Sequence, residues 1–198
     1  VPVVRRLAAS LDVPISIDTF KAEVAAAALD AGADLVNSVW GLAADPELGP
    51  LVAERGVPLV LMHNQKGTEY HDLMGEVTGW LQRELERAVE HGIAWEQLIV
   101  DPGIGFGKTK EHNLEIMARL DGLRSLGRPI LFGSSRKSTI GYVLDAPADD
   151  RLEGTAATNA LAIARGADVI RVHDVRALAR VAKMTDAIVR RGWWPTSS

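Results

Sequence analysis

The amino-acid sequence predicts an α/β protein in which parallel strands alternate with helices along the chain. Helical patterns such as residues 21–32 and 77–92 each close on a glycine, which commonly ends a helix. Because continuous apolar strands separated by helices are covered on both faces, this order predicts a parallel sheet. The predicted strands are six short apolar runs, at 14–18, 34–40, 58–63, 97–101, 129–133 and 168–173.

Length and composition limit the class of protein. A chain of 198 residues that is 47% hydrophobic is long enough for one sizeable core, and we expect a single domain over residues 1–198. A net charge of −4 without runs of like charge excludes a nucleic-acid or membrane-surface partner and favours a small ligand. The absence of cysteine excludes disulfides and thiolate zinc sites, and the absence of a signal peptide or a long apolar run predicts a cytoplasmic protein.

Two α/β architectures compete, an open doubly wound sheet and a (β/α)8 barrel. Polar groups that arrive together at the C-terminal ends of parallel strands are expected at the mouth of a barrel, where its active site lies. Six units instead of eight, and an opening VPVVRRLAASLD that resembles the end of a helix, predict an incomplete TIM barrel truncated at its N-terminal side. The polar strand-end residues are Asp18, Asn37, His63, Asp101, Ser134, Ser135, Arg171 and His173.

The stretch LIVDPGIGFGKTKEHN, at residues 98–113, places three glycines in five positions after a strand that ends on an acid. It is not a P-loop, because Pro102 stands where that motif needs its first glycine. It is not a dinucleotide fingerprint either, because Lys108 stands where the third glycine is needed. The loop therefore serves another ligand.

Acids and amides at neighbouring strand ends are costly unless they are paired. Any one of these residues alone is equally well explained as a strand-end cap or a local salt bridge. Together, two carboxylates and an amide suit the polar edge of a flat heterocycle such as a 2-amino-4-oxo ring. The set is Asp18, Asn37, Asp101 and Lys137.

Three motifs in this order resemble the dihydropteroate synthase family: DPGIGFGK at 101–108, GSSRKS at 133–138 and RVHDV at 171–175. The segments IDTFKAEVAAAALDAGADLVN at 17–37 and LMHN at 61–64 are similar to it as well. The resemblance extends from about residue 12 to the C-terminus. It implies an enzyme of folate biosynthesis, the target of sulfonamides, which joins a pterin pyrophosphate to p-aminobenzoate.

The resemblance also implies roles for individual residues. The pterin would contact Asp18, Asn37, Met62, Asp101, Phe106 and Lys137; p-aminobenzoate would contact Phe106, Lys137 and Ser138; pyrophosphate would contact Arg171 and His173. Lys137, Arg171 and His173 would be the catalytic groups. Mg²⁺ is the implied cofactor, linked to an asparagine on loops that this chain lacks, so no metal ligand is expected within it. A homodimer is also implied.

Two alternatives remain open. One is a pterin-binding methyltransferase that passes a methyl group to a corrinoid protein, although the SSRKS segment at 134–138 has no role in such an enzyme. The other is a non-catalytic paralogue that retains only the pterin pocket. Ser38 is a departure from the family pattern, because an aspartate commonly follows the strand-end asparagine.

Overall fold

A computed structural model of the chain describes residues 1–190. They divide into two compact units, of which unit 1 comprises Val1–Lys66 and Gly75–Gly103, and unit 2 comprises Gly67–Met74 and the chain from Ile104 onward. The single domain over 1–198 stays a prediction, and residues 191–198 lie outside the described residues. The helices are α1 Pro2–Ala8, α2 Ala22–Leu29, α3 Leu48–Arg55, α4 Leu73–Glu90, α5 Lys110–Ala118, α6 Ser138–Leu144, α7 Leu152–Ala164 and α8 Val175–Val189, with short 3-10 turns at Trp95–Gln97 and Leu120–Leu126.

Unit 1 contains a four-stranded parallel sheet in the order β1-β2-β3-β4. Each strand pairs with the next one along the chain, so β1 is an end strand that pairs with β2 alone among the described residues. This sequential parallel order confirms the alternation of strand and helix predicted from the sequence. The strands are β1 Ser16–Asp18, β2 Leu35–Ser38, β3 Leu59–Met62 and β4 Leu98–Asp101.

The core of unit 1 forms around β3, all four residues of which are buried. Helix α4 contributes a fully buried stripe of Val77, Leu81, Leu85 and Ala88, spaced three and four residues apart. That spacing places the four side chains on one face of the helix. The helix predicted at 77–92 is therefore confirmed, with bounds of Leu73–Glu90.

The turn after α2 lies close to the end of α1 in unit 1. Gly32 follows α2 with φ of +100°, and an ideal Cβ there would lie 2.6 Å from Cβ of Ala8. Only glycine meets both the backbone angle and the close approach. The opening residues do form a helix, α1, as the sequence indicates.

Unit 2 contains two parallel strands, β5 Leu131–Phe132 and β6 Val169–Ile170. They are shorter than the apolar runs that predict them, although the backbone hydrogen bonds continue to Arg171 N, which donates to Phe132 O at 2.9 Å. Helices α7 and α8 pack against each other, and Phe132 is fully buried. Within the part of the chain that the structure describes, no helix is both long and apolar enough to cross a membrane.

Candidate active site

In unit 1, four predicted pterin residues lie at the C-terminal ends of neighbouring strands. Asp18 on β1 is in register with Asn37 on β2, and Met62 on β3 is in register with Asp101 on β4. Asn37 and Asp101 are each 7% exposed, whereas Asp18 is exposed. Because parallel strands end at the same edge of a sheet, the predicted set is brought to one edge of unit 1.

Asn37 has a buried oxygen that no described residue satisfies. Its Oδ1 atom accepts no hydrogen bond in residues 1–190. Leaving a buried acceptor without a partner costs about 1–3 kcal/mol, so such atoms are rare in native structures. Asn37 is therefore suited to accept from an N–H group of a bound heterocycle.

Asp101 is oriented by the backbone that follows it. Its Oδ1 atom accepts a 2.7 Å hydrogen bond from Gly103 N, and its carbonyl oxygen accepts one from His63 N at 2.9 Å. Gly103 has φ of +70°, which lets the chain turn back toward the carboxylate. The glycine after this strand therefore fixes the carboxylate rather than cradling phosphate.

The loop after Asn37 is held by buried polar groups. Ser38 is fully buried and its Oγ donates to Gly41 O at 2.6 Å, while Leu42 N donates to Oε2 of Glu84 at 2.6 Å. Glu84 is only 3% exposed and also pairs with Arg87. Ser38, which departs from the family pattern, thus anchors the loop directly after the asparagine.

In unit 2, Lys137 and Phe106 are in contact. The Lys137 ammonium lies 4.7 Å from the Phe106 ring centroid and donates to Ile104 O. An ideal Cβ on Gly105 would lie 3.1 Å from Cδ of Lys137, and the φ of Gly105 is +80°. Glycine at this position therefore lets the lysine stem lie across the loop.

Asn113 holds the glycine loop and was not predicted as a site residue. Its Oδ1 atom accepts from Gly105 N at 2.8 Å, and its Nδ2 atom donates to Thr109 O at 2.8 Å and to Oγ1 of Thr139 at 3.1 Å. The side chain is buried, with both its oxygen and its nitrogen hydrogen-bonded. Its position three and four residues before Ile116 and Met117, which lie on the buried face of α5, is the sequence signal that could have identified it.

The segment that carries Lys137 has an unusual backbone. Arg136 has φ of +58°, a region that residues other than glycine rarely adopt. Its guanidinium binds Asp174 through two hydrogen bonds, of 3.1 and 2.6 Å, and holds the pKa of that carboxyl below its usual value. Arg151 donates to the carbonyl oxygens of Arg136, Lys137 and Ala146, at 2.9, 3.3 and 2.9 Å.

The three predicted catalytic residues line one cavity in unit 2. Its volume is about 200 Å³, and Lys137, Arg171 and His173 lie on its wall together with Gly133, Ser135 and Val172. Ser138 is exposed at the first residue of α6, directly after Lys137. The cavity therefore combines two cationic side chains with an imidazole, a set suited to an anionic group.

Comparison with known proteins agrees with this geometry. The family model described as "pterin binding enzyme" matches residues 1–173. Dihydropteroate synthase of Bacillus subtilis is 46% identical over 192 residues, which are 97% of this chain and 67% of that protein. The structure of Clostridium difficile dihydropteroate synthase, solved in the presence of pteroic acid, matches with a TM-score of 0.94 and 46% identity over 96% of this chain and 72% of that one. Xanthomonas albilineans dihydropteroate synthase with 4-aminobenzoic acid matches with a TM-score of 0.92 and 40% identity over 94% and 69% of the two chains.

The chain therefore belongs to the pterin-binding enzyme family. Its function within that family is that of the dihydropteroate synthases, which are transferases. The predicted fold class is confirmed as well, because the parallel strands match structures of this family over 69–72% of their length, as an incomplete (β/α)8 barrel would.

Proposed function

We propose that this chain binds 6-hydroxymethyl-7,8-dihydropterin pyrophosphate and p-aminobenzoate, and uses the residues described above to form 7,8-dihydropteroate and pyrophosphate. The cavity of Lys137, Arg171 and His173 in unit 2 is the observation that carries the proposal. An anionic leaving group is the substrate feature that such a set would recognise. The relative solved with 4-aminobenzoic acid supports the second substrate.

The pterin ring is assigned to unit 1. Asn37 offers a buried oxygen that no other residue in 1–190 satisfies, and Asp101 offers a carboxylate held in place by Gly103 N. Adjacent N–H groups on one edge of the heterocycle would donate to these acceptors, with Asp18 alongside and Met62 against the ring. A carboxylate next to the ring also favours the electron-poor pterin that forms as pyrophosphate leaves.

Departure of pyrophosphate is the step that Lys137, Arg171 and His173 would assist. The bond between the pterin methylene carbon and the pyrophosphate oxygen breaks, and negative charge grows on that oxygen. Lys137 and Arg171 stabilise this charge, and His173 can donate a hydrogen bond to it. The amine of p-aminobenzoate then attacks the methylene carbon, with Phe106 and Ser138 as its proposed contacts, and loses a proton to solvent.

Mg²⁺ stays a prediction for this enzyme. Within residues 1–190, no cluster of three or more His, Asp or Glu side chains is suited to hold a metal ion. The steps above are derived without a metal ion. A cytoplasmic location and a homodimer also stay predictions.

Lys137→Ala provides the test. Removing the ammonium should slow formation of 7,8-dihydropteroate by about 10²-fold, measured with radiolabelled p-aminobenzoate. Lys110→Ala is the matched control, because Lys110 is an exposed lysine of the same unit whose ammonium lies over Tyr142. Equal rates for Lys137→Ala and the unchanged protein would contradict the assignment.

This chain spans 67–72% of the length of these relatives, so binding and turnover are tested separately. Pterin binding is measured by calorimetry. A protein that binds a pterin and releases no pyrophosphate would be the non-catalytic paralogue. Transfer of a methyl group from a methylated pterin would identify the methyltransferase. Either result would overturn the proposed reaction.

A further inference from the structure

We propose that Ser135 is a positioning residue that fixes the neutral ring of His173 with its proton on Nε2. This proposal rests on the proposed function for its catalytic consequence, although the ring assignment itself rests on hydrogen bonds alone. Ser135 lies on the wall of the same cavity as His173 and is 5% exposed. The strand-end pattern in the sequence assigns Ser135 no particular role in the reaction.

Two hydrogen bonds join these residues, which are 38 positions apart in the sequence. The backbone N–H of His173 donates to Oγ of Ser135 at 3.2 Å, and Nδ1 of the same histidine lies 2.9 Å from that oxygen. The first bond uses one lone pair of the serine oxygen. Which atom donates in the second hydrogen bond depends on whether the hydroxyl proton of Ser135 has another acceptor.

The hydroxyl proton of Ser135 has one acceptor within the described residues, Nδ1 of His173. If Nδ1 carried the ring proton instead, the serine oxygen would accept twice and its own proton would have no acceptor among the described residues. A buried donor without an acceptor costs about 1–3 kcal/mol. The arrangement in which Ser135 donates to Nδ1 is therefore favoured, and the ring proton then resides on Nε2.

This tautomer has a direct consequence for an anion in the cavity. With Nε2 protonated, the imidazole presents an N–H donor, as the Lys137 and Arg171 side chains do. With Nδ1 protonated, Nε2 would present a lone pair to negatively charged oxygen, which is repulsive. The charged groups around the ring are Lys137 and Arg171 on the cavity wall and the Asp174 carboxylate paired with Arg136. Ser135 thus keeps His173 in the form that can bind the leaving pyrophosphate.

The tautomer can be read directly by ¹⁵N NMR of the histidine rings at about pH 8.5, well above the ordinary pKa of histidine of about 6.5. His173→Asn identifies the signal, since the chain has 5 histidines. We expect Nε2 protonation in the unchanged protein, a mixture of tautomers in Ser135→Ala, and a return to Nε2 protonation in Ser135→Thr, which keeps the hydroxyl. Nδ1 protonation in the unchanged protein, or identical ring shifts in Ser135→Ala, would overturn the proposal.

Binding of inorganic pyrophosphate, measured by calorimetry, tests the consequence. Ser135→Ala should weaken it about 3- to 10-fold, the worth of one hydrogen bond, and Ser135→Thr should restore it. Ser125→Ala is the control, because Ser125 is an exposed serine of the same unit whose hydroxyl donates to Gly122 O. Unchanged affinity in Ser135→Ala would overturn the effect on the leaving group. Failure of the unchanged protein to form dihydropteroate would instead count against the proposed function, because the ring shifts do not depend on turnover.

Discussion

Gly141 leaves the space in which the guanidinium of Arg151 lies. Gly141 is inside helix α6, and an ideal Cβ there would lie 2.6 Å from Nε of Arg151 and closer still to its Cζ and Nη2 atoms. That guanidinium donates to the carbonyl oxygens of Arg136, Lys137 and Ala146. Gly141→Ala must therefore displace the group that holds the backbone around Lys137.

The expected magnitude is a balance of two opposite effects. Alanine is favoured over glycine in a helix interior by about 0.5–1 kcal/mol. Each of the three hydrogen bonds from the guanidinium contributes about 0.5–1.5 kcal/mol, so losing them together costs about 2–4 kcal/mol. Gly141→Ala should lower the free energy of unfolding by about 1–3 kcal/mol, as the difference of these two estimates.

A double-mutant cycle with Arg151→Ala separates the two effects. Once the guanidinium is gone, Gly141→Ala keeps only the gain in helix propensity and should stabilise the protein by up to about 1 kcal/mol. Urea unfolding of the four proteins measures each free energy. Gly79→Ala in helix α4 is the matched control, because a Cβ there would meet only Nη1 of Arg83, at 3.4 Å. That variant should be stabilised by about 0.5–1 kcal/mol in both backgrounds.

The sign of the Gly141→Ala effect, with and without Arg151, tests whether the Arg151 guanidinium lies above Gly141. Destabilisation of the same size with and without Arg151 would show that the guanidinium does not occupy the space above Gly141 in solution. A higher free energy of unfolding for Gly141→Ala than for the unchanged protein would lead to the same conclusion. Either result would refute the role of Arg151 in holding the segment of Lys137.

Three further predictions concern other polar groups. Asp101→Asn should weaken pterin binding by roughly 2–5 kcal/mol in calorimetry, because its Oδ1 stays with Gly103 N and an amide N–H would then face a ligand donor; equal affinities would contradict the assignment. Ser38→Ala should cost about 1–3 kcal/mol in urea unfolding, because the Gly41 carbonyl loses its buried donor, whereas a neutral result would mean that the hydroxyl is dispensable. The Arg136 ion pair lowers the pKa of Asp174 below its usual 3.8, so the stability it adds is present above pH 3.8 and is lost as the pH falls through the lower, folded value. The difference in stability between the unchanged protein and Asp174→Asn should therefore be constant near neutral pH and shrink below about pH 4, and a difference that persists at pH 2 would contradict it.

The sequence predicts the strands of this chain well because each strand carries its own signal. Every predicted run contains an observed strand, from β1 at Ser16–Asp18 to β6 at Val169–Ile170. A buried parallel strand is a continuous apolar run, and that run can be recognised without knowing what covers it. The polar residue at the end of each run is recognised in the same way, and for this reason Asn37 and Asp101 could be predicted as site residues.

The contacts that hold the site carry no such local signal. Arg151 binds a carbonyl 15 positions away, and Ser135 binds an imidazole 38 positions away. Glu84 holds the loop after Asn37 by accepting a hydrogen bond from a backbone N–H 42 positions away. It lies on a helix whose apolar stripe predicts only packing. Arginine, serine and glutamate are common in loops and on helix surfaces, so their presence in the sequence does not separate a partner of the site from a solvated side chain.

This difference between the two kinds of residue explains why Arg136 could not be interpreted from the GSSRKS motif alone. The motif places an arginine between Ser135 and Lys137, and its charge alone does not identify its partner. The structure instead uses the Arg136 side chain to bind Asp174 and gives its backbone a positive φ. A residue in that conformation is less stable by about 1–3 kcal/mol, so the surrounding contacts must fix it. Arg151 supplies one of them by donating to the Arg136 carbonyl. The charge within the motif thus shapes the backbone that presents Lys137, and that role follows only from the partners that folding brings to it.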